Sequence, residues 1–331
     1  MNTLELYKQY YKFVNNNDEF VCYSINTNER LPEIGEAYVV KDTSIFFLET
    51  SCNSYINAQL TVSPRQACAV ESAALMNPKR MVYLLFASPG LFYNSTQSDR
   101  LLQALISYPN IKLLYINMDK YADNTPVEKL WKSKEILKGE YPLSHTSDLL
   151  RYITLWKYGG IYMDLDTMTI KNLNSLPTNF AGVQDEYTVA SGVLGFSSKG
   201  DGHQYINSCL YELADHYDGH SWAENGPKII TGLTNRLCES YLVKDYVGKT
   251  CKDFYIFSSS AFYPIYYTYF DSYFNPNHMD YVKNVTSNSY ILHMWNKLSM
   301  DKKIYLYENV PYLYFAKRYC PRTVKNIDSY F

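Results

Sequence analysis

Two aspartates one residue apart, Asp164 and Asp166, stand just past a Gly159-Gly160 break in the run Ile-Tyr-Met-Asp-Leu-Asp. In an extended strand they share one face, because strand side chains alternate, while Ile161, Met163 and Leu165 make up the other. Two carboxylates side by side repel each other unless a positive charge lies between them. A divalent metal carrying a diphosphate supplies that charge, whereas a solvated strand end would give the same pair with no task. Asp148 and Arg151 stand three residues apart upstream, so a helix over Ser147–Tyr158 sets them on one face. Such spacings usually close an internal ion pair on a solvated helix. Here the helix leads straight to the two aspartates, and both side chains can reach the same cleft.

The flanking sequence predicts the elements that position these groups. Gly159-Gly160 allow a left-handed turn from helix into strand. Ser44–Glu49, Met81–Phe86 and Ile111–Ile116 read as strands with buried runs. Helices are predicted from Pro64 to about Met76, from Ser98 to Tyr108, and from Pro126 to Leu137 with Trp131 on the apolar side. The first of these opens on Ser63-Pro-Arg-Gln, with Ser63 at the N-cap, Pro64 behind it and Gln66 as capping-box partner. Asn77-Pro78 stops it. Strands alternating with helices imply parallel pairing, right-handed crossovers and a sheet covered on both faces. Nucleotides bind such sheets at the carboxyl ends of the strands. Residues 1–40 are polar and weakly periodic and read as a stem or N-terminal flap, leaving 41–331 as one domain.

Composition narrows the classes. A net charge of −2 gives no general reason to bind nucleic acid. No run of about 18 apolar residues is present, so the chain shown carries no membrane span. The start, MNTLELYKQYYKF, lacks the apolar stretch of a secretory signal. The 35 tyrosines suit stacking on sugar rings or uracil, and equally reflect the base composition of a gene. Seven cysteines without a CxxC favour an oxidising compartment over a zinc site. Cys52 with Cys68, and Cys238 with Cys251, each bracket a loop that a disulfide can close. Cys22, Cys209 and Cys320 remain, and an odd total leaves a free thiol or an intermolecular bond. Sequons at Asn94 and Asn284 fit surface glycosylation.

The run SDxxRYxxLxxYGGIYxDxD, from Ser147 to Asp166, resembles the donor-binding core of the α1,4-glycosyltransferases. FFLETS (Phe46–Ser51), CAVESAA (Cys68–Ala74), ADHYDGHSWAENGPKIIT, AFYPI, LHMWNKLS and RYCP (Arg318–Pro321) follow that family's order, so the likeness spans roughly Ser44 to Pro321. It implies a GT-A type fold, a Rossmann-like mixed sheet flanked by helices. It also implies a retaining, metal-dependent transferase that moves Gal or GalNAc from a UDP-sugar, in α1,4 linkage, onto a β-galactoside of a glycolipid or glycoprotein. Glycosphingolipid synthesis is the corresponding process. Transfer of GlcNAc, transfer of mannose from GDP-mannose, nucleotide-sugar hydrolysis and a catalytically silent sugar-binding homologue stand as alternatives. Family members are Golgi type II membrane proteins. The expectation is therefore a Golgi-luminal domain whose anchor is absent from this chain, with secretion as the alternative.

The likeness also assigns residues. Asp164, Asp166 and His293 are the expected ligands of Mn²⁺, with Mg²⁺ as the other choice; an imidazole among oxygen ligands favours Mn²⁺. Asp148, Arg151 and Asn225 are the expected catalytic groups. Phe47, Glu49, Thr50, Asp148, Arg151, Asp164, Asp185, Gly226, Trp295, Lys297 and Ser299 are expected around the donor, with Lys297 countering the diphosphate charge. Three positions depart from the family pattern: Ser191 stands where Asn is common, Ala223 where Gly is, and Gly232 where Arg is. Trp222 suits stacking on the acceptor sugar. No carboxylate, Glu224 included, is fixed by motif as a nucleophile. Front-face attack, with the leaving phosphate taking the acceptor proton, is thus expected over the two-carboxylate route of retaining hydrolases.

Overall fold

The computed structural model describes residues 20–331 apart from Asn26, Glu29 and Asn94, so the Asn94 sequon and most of the expected stem lie outside the described residues. Among the described residues ten strands form: β1 (Ile45–Glu49), β2 (Val82–Phe86), β3 (Ile111–Tyr115), β4 (Gly160–Met163), β5 (Thr167–Thr169), β6 (Phe180–Val183), β7 (Val189–Phe196), β8 (Thr250–Cys251), β9 (Phe254–Phe257) and β10 (Ile291–His293). Eight of them make one mixed sheet in the order β3-β2-β1-β4-β7-β6-β9-β8, and β5 pairs with β10 in a second. β3, β2, β1 and β4 run parallel, as alternation with helices requires. β7 then runs antiparallel to both β4 and β6. β4 and β6 therefore point the same way, and the chain enters β7 at the edge where they end. This is the mixed α/β architecture expected of a GT-A glycosyltransferase.

Both faces of the sheet are covered. Ile45 and Phe47 of β1 enter one core, and Phe46 and Leu48 the other. The longer helices are α1 (Pro64–Met76), α2 (Gln97–Ile106), α3 (Pro142–Tyr158), α4 (Gly200–His216), α5 (Pro227–Cys238) and α6 (Pro311–Tyr319). α1 carries the capping box expected of Ser63 and Gln66. α3 starts earlier than expected, with Pro142 in its first turn, and ends at Gly159. Gly159 and Gly160 both have positive φ, and a β-carbon on Gly160 would lie 2.5 Å from the Ser44 carbonyl. The expected 126–137 helix is broken into Glu128–Ser133 and Glu135–Lys138 by a left-handed Lys134. The Ser133 hydroxyl donates to the Leu130 carbonyl, a local bond that competes with the helical ladder.

Disulfides join Cys22 to Cys52, Cys68 to Cys320 and Cys238 to Cys251. The expected Cys52–Cys68 pairing is thus corrected: Cys68 lies inside α1, where it meets the end of α6, and Cys52 is taken by the N-terminal segment. Cys209 is a buried thiol. Residues 30–40 lie against the domain, where Pro32 accepts from the Tyr115 amide and Glu33 pairs with β3. No helix among the described residues is long and apolar enough to cross a membrane.

Candidate active site

The two aspartates do not sit in a strand. β4 ends at Met163, and Asp164-Leu165-Asp166 form a tight turn into β5. The Asp164 carbonyl accepts from the Thr167 amide at 3.2 Å and from its hydroxyl at 2.8 Å, which fixes the turn. Strand alternation is therefore not what brings the carboxylates together. The turn does so, and pairing adds the third group, because β10 lies antiparallel to β5 and sets His293 opposite Thr167. His293 Nε2 then lies 3.2 Å from Asp166 Oδ1 and 3.7 Å from Asp164 Oδ2. One ligand atom from each of the three side chains falls within 4.8 Å of the others. The remaining oxygen of Asp166 accepts from the Asn296 amide at 2.7 Å.

Two carboxylates and an imidazole at the carboxyl edge of β4 fit a divalent cation in charge and in donor type. The Trp295 amide donates to His293 Nδ1, so the ring proton is on Nε2, between the carboxylates. An ion would stand where that proton stands and would require the ring to release it. Electrostatics show the same need for positive charge. Burial alone would lower the His293 pKa, but the Asp166 and Asp164 carboxylates outweigh it and raise it. Burial raises Asp166, and the neighbouring Asp164 adds to that. Asp164 is held low despite burial by the Arg151 guanidinium, His293 and the Tyr162 hydroxyl.

α3 brings its motif to the same place. Arg151 Nη2 lies 3.2 Å from Asp148 Oδ1 and 3.5 Å from Asp164 Oδ1, with both α3 side chains buried. Nη1 donates to the Ser191 carbonyl at 2.9 Å and hydroxyl at 2.8 Å. The guanidinium plane sits 4.8 Å from the Tyr162 ring centre, and the Tyr162 hydroxyl donates to Asp164 Oδ1 at 2.6 Å. Burial pushes the Asp148 carboxyl up to about 6, against the pull of Arg151. The Asn-Gly-Pro turn docks on this cluster. A β-carbon on Gly226 would collide with the Asp148 carboxylate, and Tyr152 donates to the Gly226 carbonyl at 2.8 Å.

Two family models tile this region. Residues 63–181 match the glycosyltransferase sugar-binding region containing the DXD motif, and residues 198–327 match the α1,4-glycosyltransferase conserved region. The chain belongs to the α1,4-glycosyltransferase family. It is 28% identical to lactosylceramide 4-alpha-galactosyltransferase of Rattus norvegicus, over 93% of this chain and 82% of that one. The human protein of that name is 29% identical over 87% of this chain and 78% of its own length. Human alpha-1,4-N-acetylglucosaminyltransferase is 26% identical, over 88% and 83%. Asp148, Arg151, Asp164 and Asp166 fall within the first matched region, and Asn225, Gly226, His293 and Lys297 within the second.

In this glycosyltransferase the remaining expected residues divide by what they touch. Trp295, in left-handed conformation, packs its ring tilted against that of His293, with centres 4.4 Å apart, and donates its indole N–H to the Ile265 carbonyl. Lys297 lies 4.6 Å from the Trp222 ring centre and 5.0 Å from that of Tyr141. Asp185, just past β6, accepts from the Tyr187 amide at 2.9 Å. Glu49 and Thr50 close β1; both are buried, and the Thr50 carbonyl accepts from the Tyr23 hydroxyl. The other three face the fold. Phe47 is wholly buried in the core. The Asn225 carboxamide accepts from the Asp218 amide at 3.0 Å and donates to the Asp218 carbonyl at 2.6 Å, clamping its loop. The Ser299 hydroxyl accepts from Arg65 at 3.0 Å and donates to the Met294 carbonyl at 2.9 Å. Three contacts were not expected from sequence. These are the Tyr162 hydroxyl on Asp164, Ser191 on Arg151, and the backbone amide of Asn296 on Asp166.

Proposed function

We propose that this enzyme transfers Gal or GalNAc from a UDP-sugar, with retention and in α1,4 linkage, to a β-galactoside, and that it depends on a divalent ion, Mn²⁺ before Mg²⁺. The observation that carries this is the convergence of Asp164, Asp166 and His293 within 4.8 Å at the carboxyl edge of the sheet. A bound ion would neutralise charge on the departing diphosphate. Arg151 holds Asp164 in place, and Asp148 is set to accept from donor-sugar hydroxyls. Lys297 is set to counter the diphosphate. In front-face transfer the acceptor oxygen bonds to the anomeric carbon as the bond to the phosphate oxygen breaks. The acceptor proton goes to that phosphate oxygen. Glu224 is ion-paired with Lys228, which leaves it poorly placed as a nucleophile.

The relatives named for 4-alpha-galactosyl transfer to lactosylceramide support a galactoside acceptor. The similarity to alpha-1,4-N-acetylglucosaminyltransferase supports UDP-GlcNAc as the second donor reading. Three disulfides among the described residues support an oxidising, luminal setting such as the Golgi, or secretion.

The test is UDP release from UDP-Gal, UDP-GalNAc and UDP-GlcNAc, with Mn²⁺ or EDTA, and with or without a β-galactoside. Expected are release from one donor, stimulation by acceptor, loss in EDTA, and a fall of roughly a thousandfold in Asp166→Ala. Release from no donor, with the wild type no better than Asp166→Ala, would reject the reading.

A further inference from the structure

The AFYPI run contributes a side chain to which no task has yet been given. Tyr263 is 2% exposed, and its ring centre lies 5.3 Å from that of His293 and 5.8 Å from that of Trp295. Among the described residues its hydroxyl finds no acceptor for its proton; the Val193 backbone N–H beside it can only donate. Buried phenols ordinarily find a partner, because an unpaired polar atom inside a protein is costly. The groups that face this hydroxyl are the backbone of Val193 and the charges of Asp164, Arg151 and Asp166.

Gly192 shows where the hydroxyl points. A β-carbon on that glycine would lie 2.7 Å from Asp164 Oδ2, 3.3 Å from His293 Nε2 and 3.3 Å from the Tyr263 hydroxyl. The three atoms border one small space, kept open because residue 192 has no side chain. Two of the neighbouring acceptors are already engaged. Asp164 Oδ1 takes the Tyr162 proton, and Asp166 Oδ2 takes the Asn296 amide. Asp164 Oδ2 faces the space and makes no bond with Tyr263. A phenol is protonated at neutral pH, so this hydroxyl has a proton to donate. The acceptor that this proton lacks is a group that enters from outside.

We propose that Tyr263 is a positioning residue for the donor substrate, its hydroxyl donating to an oxygen of the diphosphate seated at the Asp164–Asp166–His293 site. This rests on the donor-site reading above and adds a neutral, directional contact to a site otherwise made of charges. A hydrogen bond to a charged acceptor is about twice as strong as one between neutral groups. It also fixes which diphosphate oxygen faces the β7 side of the cleft.

The experiment is calorimetric titration of UDP into the wild type and Tyr263→Phe, each in saturating Mn²⁺ and each in EDTA. Mn²⁺ affinity without nucleotide is read from the free-ion EPR signal, and melting temperatures are recorded without ligand. In Mn²⁺, the affinity of Tyr263→Phe for UDP should fall about tenfold. Its affinity for Mn²⁺ alone should not change. Its melting temperature should hold or rise, because Phe keeps the ring contacts and deletes an unpaired hydroxyl. Equal UDP affinities in the two proteins would overturn the proposal and make the hydroxyl a core feature. A matching loss of Mn²⁺ affinity would also overturn it, by placing the hydroxyl on the ion's own ligands. A wild type that binds no UDP in Mn²⁺ would reject the donor-site reading itself, and the inference with it.

Discussion

The two walls of the cleft are built differently. On the side of the aspartates, five chain segments meet: α3, the 164–166 turn, β7, the 225–226 turn and β10. They are held by buried ion pairs and short hydrogen bonds around Arg151 and Asp164. Around Trp222 the packing is open: the ring is 45% exposed, and its polar contacts are Lys297 against the ring and a 3.2 Å bond to the Ser144 hydroxyl. Chemistry that must place a diphosphate to a fraction of an ångström needs the first kind of wall. An acceptor face can be open, because exposed aromatic and cation contacts are weak and easily rearranged. Change should therefore be ruinous on one wall and tolerated on the other.

The sharpest break of that contrast is Gly192→Ala. The new methyl would lie 2.7 Å from Asp164 Oδ2 and 3.3 Å from His293 Nε2, atoms that buried neighbours hold in place. Metal-supported turnover should fall about a hundredfold, as expected for ångström-scale displacement of a site. At Gly232, one of the departures from the family pattern, a methyl would meet only the tip of Arg236 at 3.4 Å. Gly232→Ala should keep near-wild-type turnover. Steady-state rates of the two variants at saturating Mn²⁺ decide the matter. Equal losses, or none, would mean that the rigid wall is not rigid.

What was legible in the sequence follows the same division. The capping box of α1, the Gly159-Gly160 exit from α3 and the parallel half of the sheet were readable because each is set by neighbours in the chain. The aspartate pair was legible as chemistry but not as geometry. Asp164 suits the first position of a β-turn, but no glycine or proline between Met163 and Thr167 marks one, and the register that delivers His293 depends on a pairing more than a hundred residues away. The Cys68–Cys320 bond, 252 residues apart, was hidden for the same reason. Ser191 teaches more. Read as a departure it argued against function, yet its hydroxyl and carbonyl both hold Arg151. A motif position can keep its task with a different residue when the backbone carries half of the contact.

A smaller effect is read through pH, at the end of β1. Glu49 closes β1, with one carboxylate oxygen bonded to Ser51 and the other unpaired. Burial pushes its pKa from 4.5 up to about 7. The folded chain therefore binds this proton more tightly than the unfolded chain does. Its contribution to stability is whole below about 4.5 and is lost as pH rises through about 7. Glu49→Gln should remove that slope, gaining on the order of 2–3 kcal/mol relative to wild type between pH 5 and pH 8. Denaturant melts without ligand at the two pH values test this, and parallel pH trends in both proteins would sink it. Glu224→Gln, on the open wall, should leave stability within about 0.5 kcal/mol of wild type.

The smallest effect is the most informative about acceptor choice. Trp222→Ala removes an exposed ring, so the melting temperature should barely move, with a cost of roughly 1 kcal/mol or less. If the ring is the platform for the acceptor sugar, the KM for a β-galactoside should rise roughly three- to tenfold. UDP affinity and the slow hydrolysis of donor without acceptor should stay as they were. Trp222→Phe should recover most of the KM, because a flat apolar face is what a sugar ring needs. A fall in donor affinity instead would mean that the Lys297 contact with Trp222 holds the diphosphate side in place. The two walls would then be one mechanical unit, and the tolerance argued for the open wall would not exist.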